Sequence, residues 1–236
     1  MSDNLVYKPL PEDLAQVVAA LKSHIDLAEK NSKDYAARHF NGIQEEALVY
    51  CLEHATDIAR ACLLVCESKL PRALVILNRA LLESLIWCRY VTISRESAQA
   101  FSDAAGDELK RTARRNLAAK FARIVDARTG EDKTAEILDS PMLSNIPRRL
   151  SLEDAARAGG LIRLYSAIYG FISIYAHGKA FGLSEDSDLD HELYMSLCSV
   201  LGALECINMI ASDWIIDRTQ TNQEILERIL SIQPAA

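Results

Sequence analysis

The stretch PRALVILNRALLESLIWCRYV, residues 71–91, decides the fold of this chain. Its apolar side chains fall on nearly every side of a helix, and a helix that is apolar all round usually lies at the centre of a fold. Pro71 stands in the first turn, where a proline costs no hydrogen bond. Arg79 and Glu83 are four residues apart, so they share one face. The stretch therefore predicts a central helix that must pair two charges.

The sequence on either side predicts further helices and no strands. Apolar residues recur at intervals of three and four, and no run alternates in the way that a half-buried strand does. We expect the other helices near residues 11–30, 43–65, 96–128, 134–138, 151–159, 161–178, 190–218 and 221–232. The fold class is thus all-α: a single helical bundle with long central helices and no sheet, forming one domain over residues 1–236.

Composition and charge limit the cellular location and the classes of partner that we expect for this protein. The 236 residues carry a net charge of -7, which disfavours broad attraction to nucleic acid or to an anionic membrane. The longest apolar runs are shorter than the ~20 residues that span a bilayer, and the N-terminus lacks the pattern of a signal peptide. We therefore expect a cytoplasmic protein with no membrane segment. Its cysteines, which lack a C-x-x-C pair, should be buried free thiols. They are Cys51, Cys62, Cys66, Cys88, Cys198 and Cys206.

A line of polar residues marks the segment LIRLYSAIYGFISIYAHG, residues 161–178. Tyr169, Ser173 and His177 recur every four residues in an otherwise apolar helix that should end at Gly178. At about 100° per residue they occupy one sector of that helix. Each buried polar group without a partner costs about 1–3 kcal/mol, so this line requires partners from other helices.

Glu205 supplies a third set of polar groups, in the apolar run VLGALECINMIASDW with Asn208 and Ser212 close to the same face. We expect the three helices to meet and their polar groups to converge. One interpretation is a hydrogen-bond network that fixes helix register, and for His177 alone, a favourable position at a helix C-terminus. The other is a pocket. Its ligand-binding candidates are Tyr169, Ser173, His177, Arg79, Glu83 and Glu205, and its catalytic candidates are His177, Glu83 and Arg79.

Two family resemblances follow from these motifs. Arg-x3-Glu followed by Tyr-x3-Ser-x3-His resembles a bacterial family of helical proteins catalogued as a domain of unknown function, over roughly residues 43–209. That resemblance implies a fold, a candidate site and a loose association with stress or phage defence. The ending Ala-His-Gly is similar to the motif of the HEPN nucleases, which cut RNA as dimers. Their motif places Arg, Asn or Asp five to seven residues before the histidine, where this chain has Gly170, Phe171 and Ile172.

The function expected from the sequence is that of a helical binding or interaction protein, with an unknown small molecule or protein as its partner. The alternative is a HEPN-like, metal-independent, RNA-cleaving enzyme. Nucleic acid could be contacted through Arg111, Arg114 and Arg115, which share a helix face, although a solvated surface explains them more simply. No metal-binding motif is present, no cofactor is expected, and a homodimer remains open.

Overall fold

The computed structural model describes residues 11–37, 42–170, 172 and 189–216, and it confirms the all-α fold. The long helices are α1 (Pro11–Ala37), α2 (Ile43–Glu67), α3 (Pro71–Val91), α4 (Arg95–Ala118) and α9 (Leu189–Ile216). Between α4 and α9 lie α5 (Thr134–Leu138), α6 (Pro141–Ser144), α7 (Leu152–Ala158) and α8 (Ile162–Leu164), the last running into a π-helical turn, Tyr165–Tyr169. The described residues contain no strand, and Val125 and Asp132 form an isolated antiparallel bridge. The helix predicted at 221–232 lies outside the described residues.

Helix α3 occupies the centre that the sequence predicted. It packs against α2, α4, α7 and α9, so its apolar side chains are covered from several sides. Leu81, Leu85 and Ile86 are at most 1% exposed. Burying each such side chain contributes about 1.5–3 kcal/mol to folding. The surrounding helices thereby fix the position of the two charged residues on α3.

Helix α9 closes the core against α1, α2 and α3. Its segment His191–Trp214, whose most apolar 18-residue window has a mean hydropathy of 1.6, is long and apolar enough to cross a membrane by length and composition. Of its apolar window, 56% is buried within the fold, and core helices of soluble proteins meet the same criterion. The helix is longer than the apolar run quoted from the sequence because residues 189–199 precede that run in the same helix.

Hydroxyl caps begin two of the helices. Ser94 Oγ accepts a hydrogen bond from the Ser97 N–H at 3.1 Å before α4. Ser151 Oγ accepts from the Asp154 N–H at 3.0 Å and donates to Asp154 Oδ2 at 2.7 Å before α7. Each cap satisfies a backbone donor that the first turn leaves without an intrahelical partner.

The predicted end of the fourth helix at residue 128 was wrong, because α4 ends at Ala118. Lys120 adopts a left-handed conformation with φ 60°. Its N–H bonds to the Leu117 carbonyl at 3.1 Å, and the Phe121 N–H bonds to the Asn116 carbonyl at 2.9 Å. This pair of bonds is the Schellman motif, which usually has glycine at the left-handed position. A lysine stands there instead, so no glycine marked the end of the helix.

The cysteines match the expectation of free thiols. None of the six, all of which lie in the described residues, forms a disulfide; five are buried, and Cys198 is partly exposed. Burial and, to a smaller extent, the neighbouring Cys66 together raise the pKa of the Cys62 thiol to about 12. Burial also raises the pKa of Cys66. A raised pKa keeps the thiol protonated and unreactive, since the thiolate is both the nucleophile and the metal ligand.

Candidate functional site

The candidate site begins with an irregular turn that carries Tyr169. Residues Tyr165–Tyr169 form a π-helical turn in which the Gly170 N–H bonds to the Tyr165 carbonyl. The rings of Tyr165 and Tyr169 stack with centroids 5.0 Å apart and planes 17° from parallel. Single π turns inside helices are rare and are frequently found at functional sites.

Tyr169 joins the two charged residues of α3. Its hydroxyl donates a hydrogen bond to Glu83 Oε1 at 2.8 Å. The same hydroxyl accepts from Arg79 Nη2 at 2.8 Å and from Arg79 Nε at 3.2 Å. Arg79 Nε also lies 3.2 Å from Glu83 Oε1, and its Cζ lies 5.1 Å from the centre of the Tyr169 ring. The predicted contact between the two helices is therefore confirmed for these three residues, which we call the tyrosine triad.

The tyrosine triad is partly open to solvent. The side chains of Arg79 and Glu83 are 23% and 36% exposed. Burial and the hydrogen bond to Glu83 raise the pKa of Tyr169, although Arg79 opposes them. Burial acts to lower the pKa of Arg79, but the contacts with Tyr169 and Glu83 outweigh it and raise that pKa. The phenol thus stays neutral and the guanidinium charged at neutral pH.

One carboxylate oxygen of the tyrosine triad, Glu83 Oε2, accepts no hydrogen bond from the described residues. Every hydrogen bond to Glu83 ends on Oε1, and no described residue donates to Oε2. A carboxylate oxygen can accept two hydrogen bonds, so Oε2 can accept donors from outside the chain. Arg79 and Tyr169 hold the carboxylate in place, and the arrangement can therefore bind a donor group with little reorganisation.

The three residues of this arrangement all lie in the part of the chain that a family model matches. The profile of DUF5677, a family of unknown function, matches residues 45–193, which is more than half of the chain. The chain belongs to this family. The match extends from α2 to the first residues of α9, and it includes Arg79, Glu83 and Tyr169. Comparisons with curated proteins and with solved structures returned no match.

The remaining residues predicted for this DUF5677 site fall into two groups. Ser173 and His177 lie outside the described residues. Glu205 is partly buried on α9 and forms no hydrogen bond or ion pair with any described residue. The structure thus brings together Arg79, Glu83 and Tyr169, and their role in ligand binding stays a prediction.

The expectation that Asn208 and Ser212 join the same cluster was wrong. Asn208 Nδ2 donates to the His24 carbonyl on α1 at 2.8 Å, and Asn31 Nδ2 donates to Ser212 Oγ at 3.4 Å. These side chains therefore secure α9 against α1. Helical spacing showed that they share a face, but it could not show which neighbouring helix that face contacts.

The sequence analysis missed two buried polar residues on α3. Asn78 is 3% exposed, and its Oδ1 accepts from Ser199 Oγ on α9 at 3.2 Å. Arg89 is 4% exposed; its Nη1 donates to Thr92 Oγ1 at 3.3 Å, whereas its Nε has no hydrogen-bond partner. Burial lowers the pKa of Arg89. The all-round apolar surroundings that drew attention to Arg79 and Glu83 apply equally to these two positions.

The three arginines predicted as a nucleic-acid contact all lie on α4, but they differ in their surroundings. Arg111 donates to Glu108 Oε2 at 3.1 Å and to the Pro147 carbonyl at 2.7 Å, so its guanidinium is engaged within the protein. Arg114 and Arg115 are exposed. A cleft of about 390 Å³ adjoins Arg111 and mixes both charge signs. Its charged lining residues are Asp103, Asp107, Arg111, Arg148, Arg149 and Asp154.

Metal ligands do not cluster in the described part of the chain. No three side chains of His, Cys, Asp or Glu come together there. Cys62 and Cys66 lie one turn apart on α2, and their raised pKa values favour the protonated thiol over the thiolate that a metal binds.

Proposed function

We propose that this DUF5677 protein is a cytoplasmic helical binding protein whose site is built on the tyrosine triad. The observation that carries the proposal is Glu83 Oε2, an acceptor that Tyr169 and Arg79 hold in place and to which none of the described residues donates. Ser173 and His177 are proposed to line the same site, because they continue the four-residue spacing that begins at Tyr169.

The charges of the triad favour a particular ligand class. Arg79 already balances the charge of Glu83 at 3.2 Å, so a cationic ligand would be repelled by the guanidinium and an anionic one by the carboxylate. A neutral group with amide or hydroxyl donors meets neither penalty. We therefore propose a neutral polar ligand, which could be a small molecule or a side chain of a protein partner.

Thermal-shift measurements with defined probes test this proposal. The probes are nucleosides, free sugars and N-acetyl amino acid amides, each compared with its phosphorylated or ionised counterpart. A probe at about 100 times its Kd stabilises the folded state by about 2.7 kcal/mol. A chain of this length has an unfolding entropy of about 0.5 kcal/mol/K, so the melting temperature should rise by about 5 °C.

Two variants make the assay specific. Glu83→Gln retains the shape of the side chain but replaces a carboxylate oxygen with a donor, and it should abolish the response. Glu153→Gln is the matched control, because Glu153 is exposed and pairs with Arg157 on α7. A neutral probe that acts on the wild type and on Glu153→Gln alone supports the proposal. Absence of any response, or a response that persists in Glu83→Gln, would contradict it.

The alternative is metal-independent RNA cleavage of the HEPN kind, with His177 as the acid or base and Arg79 and Glu83 in support. It is favoured by a carboxylate and a guanidinium bonded to Tyr169, eight residues before His177 in sequence. Incubating the protein with labelled RNA in a chelator distinguishes the two. The binding proposal predicts intact RNA, whereas cleavage that His177→Ala abolishes would replace it with the enzyme interpretation.

A role in stress or phage defence is the proposed biological setting, on the strength of the family resemblance. Deleting the gene should then lower survival after phage challenge or heat shock, and a plasmid copy should restore it. Fractionation of the same cells tests the proposed cytoplasmic location. Survival unchanged under both conditions would remove the defence proposal while leaving the binding site to its own test.

A further inference from the structure

A surface remote in sequence from the tyrosine triad carries a local excess of positive charge. It consists of Arg114, Arg115, Lys120, Phe121, Arg123 and Arg128, and we call it the basic turn. All of these residues are exposed. Residues 113–130 contain a single acid, Asp126, and carry a net charge of +4 in a chain whose net charge is -7.

Within the described part of the chain, no carboxylate lies within ion-pair distance of the cations of the basic turn. Arg123 comes nearest to one, since hydrogen bonds from Thr134 and, to a smaller extent, the charge of Arg123 lower the pKa of Asp132. Other cations nearby do form ion pairs: Lys110 bonds to Asp107 at 3.0 Å and Arg111 to Glu108 at 3.1 Å. Asp126 is occupied locally, because its Oδ1 accepts the backbone N–H groups of Arg128 and Thr129 at 2.9 and 2.7 Å. The positive charge of this surface is therefore directed at solvent.

Backbone hydrogen bonds hold the basic turn in shape. The Schellman motif reverses the chain at Lys120 and places Phe121 directly after α4. A small hairpin follows, in which the Asp126 N–H bonds to the Glu131 carbonyl at 2.9 Å and the Lys133 N–H bonds to the Ile124 carbonyl at 2.8 Å. The side chains thus project from an ordered scaffold, which lowers the entropy cost of binding.

The exposed ring of Phe121 is a second feature of the basic turn, and it is independent of charge. Its side chain is 86% exposed. The residue after the left-handed position of a Schellman motif usually packs against the helix, but this ring does not. Attraction of cations to the negative helix end accounts for Arg114, Arg115 and Lys120, but it explains neither the exposed ring nor Arg123 and Arg128.

From these observations we infer that the basic turn binds a single strand of nucleic acid. Its cations contact phosphates, and Phe121 stacks on an unpaired base. Surfaces that combine a basic track with exposed aromatic rings bind single strands with little sequence preference. An acidic peptide would satisfy the cations but gives no role to the ring, and a duplex keeps its bases stacked internally. The inference concerns a surface separate from the tyrosine triad and does not depend on its ligand.

Fluorescence anisotropy with an oligouridylate of about 15 nucleotides tests the inference, since such a strand covers a site of typical size. Contacts with about four phosphates on a single strand give a salt slope near -3, so affinity should fall about 50-fold between ~50 and ~200 mM salt. Phe121→Ala should weaken binding about 5- to 150-fold, the range expected for losing one stacked base. Because the ring is solvent-exposed, circular dichroism should confirm an unchanged fold.

Three comparisons make the result decisive. An abasic strand of equal charge should bind more weakly and should not respond to Phe121→Ala. A poly-glutamate of equal charge should also bind more weakly than oligouridylate. Arg157→Ser removes an exposed cation that is paired with Glu153, and it should leave affinity within about twofold. Absence of oligouridylate binding at low salt, equal binding of the abasic strand or poly-glutamate, or no effect of Phe121→Ala would each overturn the inference.

Discussion

Replacing Tyr169 with phenylalanine is the sharpest perturbation of the tyrosine triad, because it removes one oxygen and retains the ring. That oxygen donates to Glu83 at 2.8 Å and accepts from Arg79 at 2.8 and 3.2 Å. Hydrogen bonds to charged groups contribute about 1.5–3 kcal/mol each. Solvent reaches the two charged side chains, so the lower end of this range applies to the hydroxyl as a whole.

We therefore expect Tyr169→Phe to lower the free energy of unfolding by about 1.5 kcal/mol. With an unfolding entropy of about 0.5 kcal/mol/K, this corresponds to a melting temperature lower by about 3 °C. Urea unfolding should show the same loss through a lower midpoint at an unchanged slope. Tyr165→Phe is the matched control, because Tyr165 stacks on Tyr169 but its hydroxyl forms no hydrogen bond with a described residue. Equal stabilities for the two variants would refute the argument that the Tyr169 hydroxyl is an integral part of the site.

Three further predictions concern the core. Because burial raises the pKa of Cys62 to about 12, the folded state retains a proton that the unfolded chain releases above about pH 9. The contribution of Cys62 to stability is complete well below pH 9, and the free energy of unfolding should fall by about 1 kcal/mol between pH 9 and 10 on this account. Cys62→Ala should flatten the decline in urea titrations, and an unchanged slope would contradict it. Gly159→Ala should lower the melting temperature, since an added Cβ would lie 3.0 Å from Arg89 Cγ and 3.2 Å from a backbone oxygen. At Gly106 an added Cβ would meet no atom within 4 Å, so Gly106→Ala should instead stabilise the fold by about 0.5–1 kcal/mol. Stability changes of the same sign for both variants would refute this reasoning. Asn208→Leu should cost about 0.5–1.5 kcal/mol in urea unfolding by removing its hydrogen bond to the His24 carbonyl, and a neutral effect would mean that this bond contributes nothing.

The sequence predicted those features that depend on neighbours within one helix. The all-round apolar pattern located α3, and the four-residue spacing of Arg79 and Glu83 implied their ion pair. The partner of that pair, Tyr169, lies 86 residues from Glu83. Its polarity within an apolar helix indicated that it needed a partner from another helix.

Other features escaped because they depend on tertiary contacts or on uncommon backbone conformations. Asn208 shares a face with Glu205, yet the packing of α9 turns Asn208 towards α1. The π turn that carries Tyr169 has no sequence signature in the apolar run around it. The end of α4 was missed because Lys120 adopts a conformation that glycine ordinarily supplies. The sequence prediction therefore placed Phe121 inside a continuous helix over residues 96–128.

The central claim is that a tyrosine and a carboxylate from separate helices act as one unit. A double-mutant cycle with Glu83→Gln and Tyr169→Phe measures their coupling directly through urea unfolding. We predict a coupling of about 1 kcal/mol, and near zero for the parallel cycle that pairs Glu83→Gln with Tyr165→Phe. Losses that add for Glu83 and Tyr169 to within about 0.3 kcal/mol would contradict the claim.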